Sequence, residues 1–426
     1  MIQRIHRLFF YLLLVLLPTQ LGYHFWPEWA HVLGRRVDYL SPTLYVTDIL
    51  IFCVILFWAI ESVSRGTYYE LWKNEKRKQI IHTIIRNTKY VIPPLVFIAL
   101  NIWFASNQPA ALYKWLKVVE FGFLAWYIVK TKPQLSLVTI FLSVGVFYSS
   151  ILAIAQFMLQ HSVGGMFWWL GERTFSVDTP GIARVDSDVS LFKLRPYATF
   201  PHPNVLGGFL AVTLPLIILQ IRKKLFLWSS LGLGTIALVL TFSRSAWAVG
   251  GIAIAFAIAR SMNYELRIKR YVRIFVLLSI FVLFFASRFM IHNSVSESVV
   301  VRQELNSAAV KIWQQSPIAG VGLGNFLIKL PEFLPKKSVY YLQPVHNIYL
   351  LILTETGFIG LVLFGWFIIS IIRNYEAGIM NYSLFTILLL GLVDHYPLTL
   401  QQGQLLFTLV AGLALAGRGK RHDKET

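Results

Sequence analysis

Apolar runs of about 15–25 residues recur along nearly the whole chain, separated by short turns rich in Lys and Arg. A run that long leaves a soluble domain no polar face to turn to water. Read as bilayer-crossing helices, the runs fall at 8–25, 43–63, 90–106, 112–129, 135–160, 204–221, 225–242, 246–259, 271–290, 347–372, 382–393 and 405–416. The sequence therefore predicts an all-α polytopic membrane protein with about 12 transmembrane helices, residues 1–426 forming a single integral membrane domain. The composition agrees: 56% of the residues are hydrophobic, 14% are charged, and the mean hydropathy is +0.61. A net charge of +19 would suggest nucleic acid in a soluble protein. Here the basic residues sit in loops beside apolar runs, so the expected partner is anionic membrane lipid and not nucleic acid. The single cysteine, Cys53, lies inside an apolar run, which excludes an intrachain disulfide and a thiolate metal cluster.

The first run follows Arg4 and Arg7 and resembles a signal peptide, but no small-residue cleavage site follows it. It is expected to stay as an anchor. With the N-terminus placed inside and the spans alternating, the inner segments hold about twice as many Lys and Arg as the outer ones. Both termini are thus expected in the cytoplasm. Two outer segments are long, 161–203 and 291–346, and long loops with structure of their own usually carry function. The inner loops are short apart from 64–89. No internal repeat is visible, which speaks against transporters built from related halves.

The polar residues that need a reason lie on the outer side. Two spans and a turn must fit between Leu225 and Ala259, leaving each helix about 16 residues, or roughly 24 Å, against a hydrocarbon core of about 30 Å. Arg244, in the turn, should therefore sit in a protein-lined recess, where an arginine needs a partner or water; snorkelling to the interface is the alternative. Residues 299–315 read as an amphipathic helix in which Arg302, Leu305, Ala309, Ile312 and Trp313 share a face. Arg302 then points toward the buried side, unless it pairs with Glu304 or Glu297. Pro317 and the run Gly320-Val-Gly-Leu-Gly-Asn-Phe326 should stop that helix and bring backbone close to something. No βαβ pattern surrounds the glycines, so a dinucleotide site is rejected. His346 stands at the outer mouth of a long span, able to accept a proton or to cap a helix. Glu355, nine residues on, faces the other way and about 13 Å deeper, as a buried partner for another helix. The stretch Arg195-Pro-Tyr-Ala-Thr-Phe-Pro-His-Pro-Asn204 leads into the sixth span. Asn204 can cap that helix, and His202 between prolines can be structural or part of a site. Asp394 and His395 could border the same recess. Arginines gathered there suit an anionic ligand, because guanidinium groups make bidentate bonds to phosphate oxygens.

At these residues the chain resembles the O-antigen ligase and O-antigen polymerase superfamily of bacterial membrane glycosyltransferases. The matching pieces are the 195–204 stretch, Ser243-Arg-Ser245, Arg302 with the glycine-rich turn through Phe326, and His346-Asn-Ile-Tyr349 with Glu355 and Gly357. The resemblance implies a GT-C-like helical fold in the bacterial inner membrane, with the active site facing outward. It implies an undecaprenyl-diphosphate-linked glycan donor and a glycan or lipid A-core acceptor. Arg244, Arg302 and His346 would be the catalytic residues. Arg195, His202, Asn204, Asn325, Asn347 and Tyr349 would bind the diphosphate or glycan. No metal and no cofactor is expected, and displacement at the anomeric carbon would invert it. Unlike some protein-glycosylating relatives, the sequence shows no large C-terminal extension, which tilts against a protein acceptor. A polymerase using the same donor, a transporter of lipid-linked glycan, an elongase with an acidic base, and a scaffold are the alternatives. Transport calls for charge along a midplane path, whereas here the charge gathers on one side.

Overall fold

A bilayer offers backbone amides no water, so apolar segments must close their hydrogen bonds internally, and helices result. In the computed structural model, described for residues 5–63, 92–185, 194–220, 225–261, 297–334, 342–373 and 378–417, helices lie at each expected apolar segment within those residues. They are α1 (Ile5–Val15), α2 (Val46–Ser62), α3 (Ile92–Trp103), α4 (Gln108–Thr131), α5 (Leu135–Leu159), α6 (Pro203–Gln220), α7 (Leu225–Leu240), α8 (Arg244–Ser261), α9 (Glu297–Gln315), α10 (Ile348–Ile372), α11 (Gly378–Leu390) and α12 (Gln401–Ala416). The expected span at 271–290 and the long inner loop at 64–89 lie outside the described residues. Of the described helices, α5, α6 and α10 are both long and apolar enough to cross a membrane.

The first helix departs from expectation. It stops at Val15, and Pro18 lies just beyond. The rest of that apolar run is extended: β1 (Gly22–His24) pairs antiparallel with β4 (Thr43–Tyr45). Between them, β2 (His31–Val32) and β3 (Arg35–Arg36) close a small hairpin. Hydrophobicity alone does not separate a strand capping the bundle from one more helical turn.

Among the described residues the apolar side chains form two large cores and a small third cluster of Phe175, Leu194 and Tyr197. The larger joins α1, α2, α4–α8 and α10–α12, and α6 is its centre, buried along nearly its whole length. The smaller lies over one end of the bundle. There Leu305, Ala308, Ala309 and Ile312 of α9 pack with Val32, Val37 and Leu40 of the 22–45 loop and with Phe326, Leu330 and Val345. The functional candidates lie where these two layers meet.

Candidate functional site

Short polar contacts close the ring of candidates. Arg195 donates from Nε to the Thr241 carbonyl (2.8 Å) and from a terminal nitrogen to Asn204 Oδ1 (2.6 Å). Asn204 passes the link on, its Nδ2 donating to Asp394 Oδ2 at 3.2 Å. Asp394 Oδ1 accepts the backbone N–H of His395 (2.9 Å), and His395 Nδ1 lies 2.6 Å from Thr399 Oγ1. The His346 and His395 rings meet edge to face, centroids 5.0 Å apart. Close helix packing allows this. A methyl group on Gly208 of α6 would overlap the Tyr396 hydroxyl, and one on Gly207 would crowd Thr241, Ser243 and Ala246. Gly208 thus admits the 394–399 turn, and Gly207 admits the turn that starts α8.

His346 is positioned by its neighbours in sequence. Asn347 caps α10, its Oδ1 accepting from the N–H groups of Tyr349 and Leu350 at 2.9 and 3.0 Å. Its Nδ2 donates to the Leu392 carbonyl, the Ile348 N–H donates to the Gly391 carbonyl, and the Tyr349 hydroxyl donates to the Leu388 carbonyl. These three bonds pin the start of α10 to the end of α11 and so bring His346 beside Asp394. His346 Nδ1 is buried and finds no hydrogen-bond partner among the described residues.

The electrostatics follow from burial. Burial, then the charge of Arg195, pushes His202 down to about 3, against the pull of Asp394. Burial also pushes His395 down to about 3; Asp394 opposes this, while His346 and Arg302 add to it. His346 is lowered by the same burial, with Asp394 opposing and Arg302 assisting. For Asp394, burial works toward protonation, but His395, His346, His202 and Arg302 together outweigh it and hold the carboxyl below its usual range. At neutral pH the cluster is three neutral imidazoles around one carboxylate. Tyr39, reaching in from the 22–45 loop, packs edge to face on His395 at 5.4 Å; burial and then Asp394 raise its hydroxyl.

The structure thus gathers Arg195, His202, Asn204, Arg302 and His346 with Asp394 and His395. Arg302 is half-buried on α9, and its charge reaches all three members of the cluster. Arg244 is exposed as the first residue of α8, on the turn whose Thr241 carbonyl Arg195 holds. Asn347 and Tyr349 support the backbone around His346. Asn325 lies elsewhere: fully buried, it bonds the backbone of Asn107 and Leu323 and ties the glycine-rich turn to the start of α4. Tyr39 was missed by sequence reasoning, since nothing in its local sequence marks it out. His346, Asp394 and His395 each offer a ligand atom, all within 4.8 Å of one another.

Beside the cluster lies a mainly apolar cavity of about 470 Å³ between α3, α4, α10 and α12. Tyr39, Pro344 and Thr399 line it near the histidines, while Phe364, Phe407 and Ala411 line it along the helices. Lys114 and Glu355 are its charged members. Glu355 is buried, as expected, and its Oε1 accepts the Phe326 N–H at 3.2 Å.

Residues 207–365 match the family described as O-antigen ligase. A general O-oligosaccharyltransferase of Acinetobacter baylyi is 26% identical over an alignment of 198 residues that covers 42% of this chain. The match takes in 35% of that relative's length. The matched family region contains Arg244, Arg302 and His346.

Proposed function

We propose that this protein transfers an oligo- or polysaccharide from an undecaprenyl-diphosphate carrier to an acceptor hydroxyl at the outer face of the bacterial cytoplasmic membrane. The observation that carries the proposal is the His346–Asp394–His395 cluster within reach of Arg302, with a buried and unpartnered Nδ1 on His346.

The acceptor hydroxyl gives its proton to His346, which is neutral and so holds a free lone pair. The acceptor oxygen bonds to the anomeric carbon from the face opposite the diphosphate. The bond from that carbon to the phosphate oxygen breaks, and the electron pair leaves with the diphosphate. The result is inversion with no covalent enzyme intermediate. Negative charge grows on the departing phosphate, and Arg302 and Arg244 stabilise it. Two of Arg195's N–H groups are spent on Thr241 and Asn204, so its part is to hold the 241–243 turn and Asn204 in place. Asp394 favours the imidazolium as His346 takes the proton. No step calls for a metal. The apolar cavity beside the histidines suits a donor that carries a lipid chain.

The test is reconstitution in vesicles with a lipid-diphosphate oligosaccharide and a lipid A-core or glycan acceptor, comparing wild type with His346→Ala and Arg302→Ala. Wild type should consume donor and form glycosylated acceptor, in a single step for a ligase and as a ladder for a polymerase. Both variants should leave the donor intact. Donor that crosses the bilayer unchanged would mean transport and overturn the reading, as would full activity in His346→Ala.

A further inference from the structure

Beyond α5 the chain makes a single short 3-10 turn, Gly165–Leu170, with the sequence Gly-Met-Phe-Trp-Trp-Leu. Phe167 turns inward onto the main core. Its neighbours turn out: Met166 is 73% exposed, Trp169 70% and Trp168 51%. Large apolar side chains this exposed need a cover, and the turn is built to hold them out. Gly164, Gly165 and Gly171 all have positive φ, and Gly171 lies so close to the Gln20 and Leu21 backbone that a methyl group would overlap it. Buried Glu172 clamps the base. Its Oε1 accepts from Gln156 Nε2 and from the Val163 N–H, and its Oε2 accepts from the Gly164 N–H, each at 2.7 Å. Gln156 also takes the N–H groups of Tyr197 and Ala198, so this turn and the stretch leading to His202 and Asn204 share one support.

The cover is identified by chemistry and continuity. A few residues before the turn, Met158 and Leu159 also stand out, from the last turn of α5, a helix long and apolar enough to cross a membrane. Lipid therefore already meets the chain at that point. Tryptophan belongs at the level of lipid headgroups, where its ring is half apolar and half wet. Arg173, exposed just after the turn, supplies a cation for lipid phosphates. A sugar platform would flank its rings with acids or amides. Residues 164–170 contain none, and the carboxylate of Glu172 is already used.

We propose that Gly165–Leu170 is a membrane-interface anchor, seating Met166, Trp168 and Trp169 among the lipids of the leaflet on the His346 side. This does not depend on what the protein transfers. The test places a nitroxide label on Met166→Cys in a Cys53→Ser background, in full-length protein reconstituted into vesicles of phosphatidylcholine and phosphatidylglycerol. Asp178→Cys, exposed in the same segment, is the aqueous control. Power saturation by oxygen, which concentrates in lipid, is compared with saturation by a water-soluble nickel chelate. At position 166 oxygen should be the more effective relaxant, and at 178 the chelate, with the ratio differing several-fold between the two sites. A label at 166 that behaves like the one at 178 overturns the proposal. So does an immobile label reached by neither reagent, which would mean that a second protein copy covers the turn.

Discussion

His346 is held by the chain that follows it and by the His395 ring, while its Nδ1 has no hydrogen-bond partner among the described residues, the arrangement expected of a base that must hold still and still react. The next three residues are fixed by the Asn347 cap and by bonds from Asn347, Ile348 and Tyr349 to Leu392, Gly391 and Leu388. General-base catalysis is worth about 10²–10⁴-fold. His346→Ala should therefore slow transfer by at least about 100-fold while the protein still purifies as a single species, checked by the rate of donor consumption. The pH dependence has a definite sign. A base must be neutral, and burial holds the folded His346 below its ordinary 6.5, so the rate should fall only on the acid side, below that value. Asp394 pulls the other way, toward the protonated form. Asp394→Asn should move the acid limb of the rate profile to lower pH, and a limb that moves up would refute the electrostatic reading. Stability follows the same proton count. His202, His346 and His395 are all lowered on folding, so below about 6.5 the unfolded chain binds protons that the folded one refuses. The stability these histidines contribute is full above that pH and declines as pH falls through it. Each can add a slope of up to about 1.4 kcal/mol per pH unit. Thermal inactivation in detergent between pH 5 and 8 should show it, steepening as pH falls.

At the scale of elements, the glycine-rich run shows what sequence can and cannot deliver. Gly320, Gly322 and Gly324 announced that backbone would approach something; they did not say what. The structure answers that α10 unwinds at Gly357, where φ is +66°, and the 317–322 backbone zips onto the freed carbonyls and amides. Val321 and Gly322 donate to Thr354 and Glu355, while Phe358 and Ile359 donate back to Pro317 and Ile318. A methyl group on Gly357 would overlap the Ile318 carbonyl, with backbone in a region that L side chains avoid. Gly357→Ala should therefore cost more than about 2 kcal/mol and sharply lower the yield of folded protein. Gly122, in the middle of α4, has nothing within 4 Å of an added methyl, so Gly122→Ala should be neutral or mildly stabilising. Size-exclusion profiles and melting temperatures of the two variants check the contrast. The same limit explains the site. Arg302 was legible because 3.6-residue periodicity is local: Leu305, Ala309 and Ile312 are indeed buried on its helix. The role of Tyr39 was not, because its contact with His395 is made by closure of the whole fold, and no local pattern encodes that.

At the scale of the molecule, most helices were legible because the bilayer forces long apolar runs into the same solution, whereas their packing is not local, and a few buried polar contacts join them. The clearest of these joins α2, α4 and α12. Lys117 on α4 donates at 2.7 Å both to Asp48 on α2 and to Glu120 on its own helix. Gln401, at the start of α12, donates to Thr47 at 2.9 Å and to Asp48. Gln402 reaches the Thr19 carbonyl beyond the end of α1. Lys117 and Asp48 are 69 residues apart, so no local pattern pairs them. In space one ammonium group serves two carboxylates, all three largely buried. Removing the cation alone would leave two like charges facing each other in apolar surroundings, and breaking a buried pair in this way typically costs about 3–5 kcal/mol. Removing all three charges at once leaves nothing to be satisfied, so packing decides the outcome. Lys117→Met should therefore yield little monodisperse protein, while the triple variant Asp48→Asn, Lys117→Met, Glu120→Gln should recover most of it, with transfer activity intact because no member of the trio lies in the His346 cluster. The comparison also separates two meanings of a buried charge. If the triple variant folds well but loses transfer, the trio acts on the chemistry as well as the packing. If Lys117→Met alone is harmless, the helices are held by their apolar faces and the trio is incidental to their order.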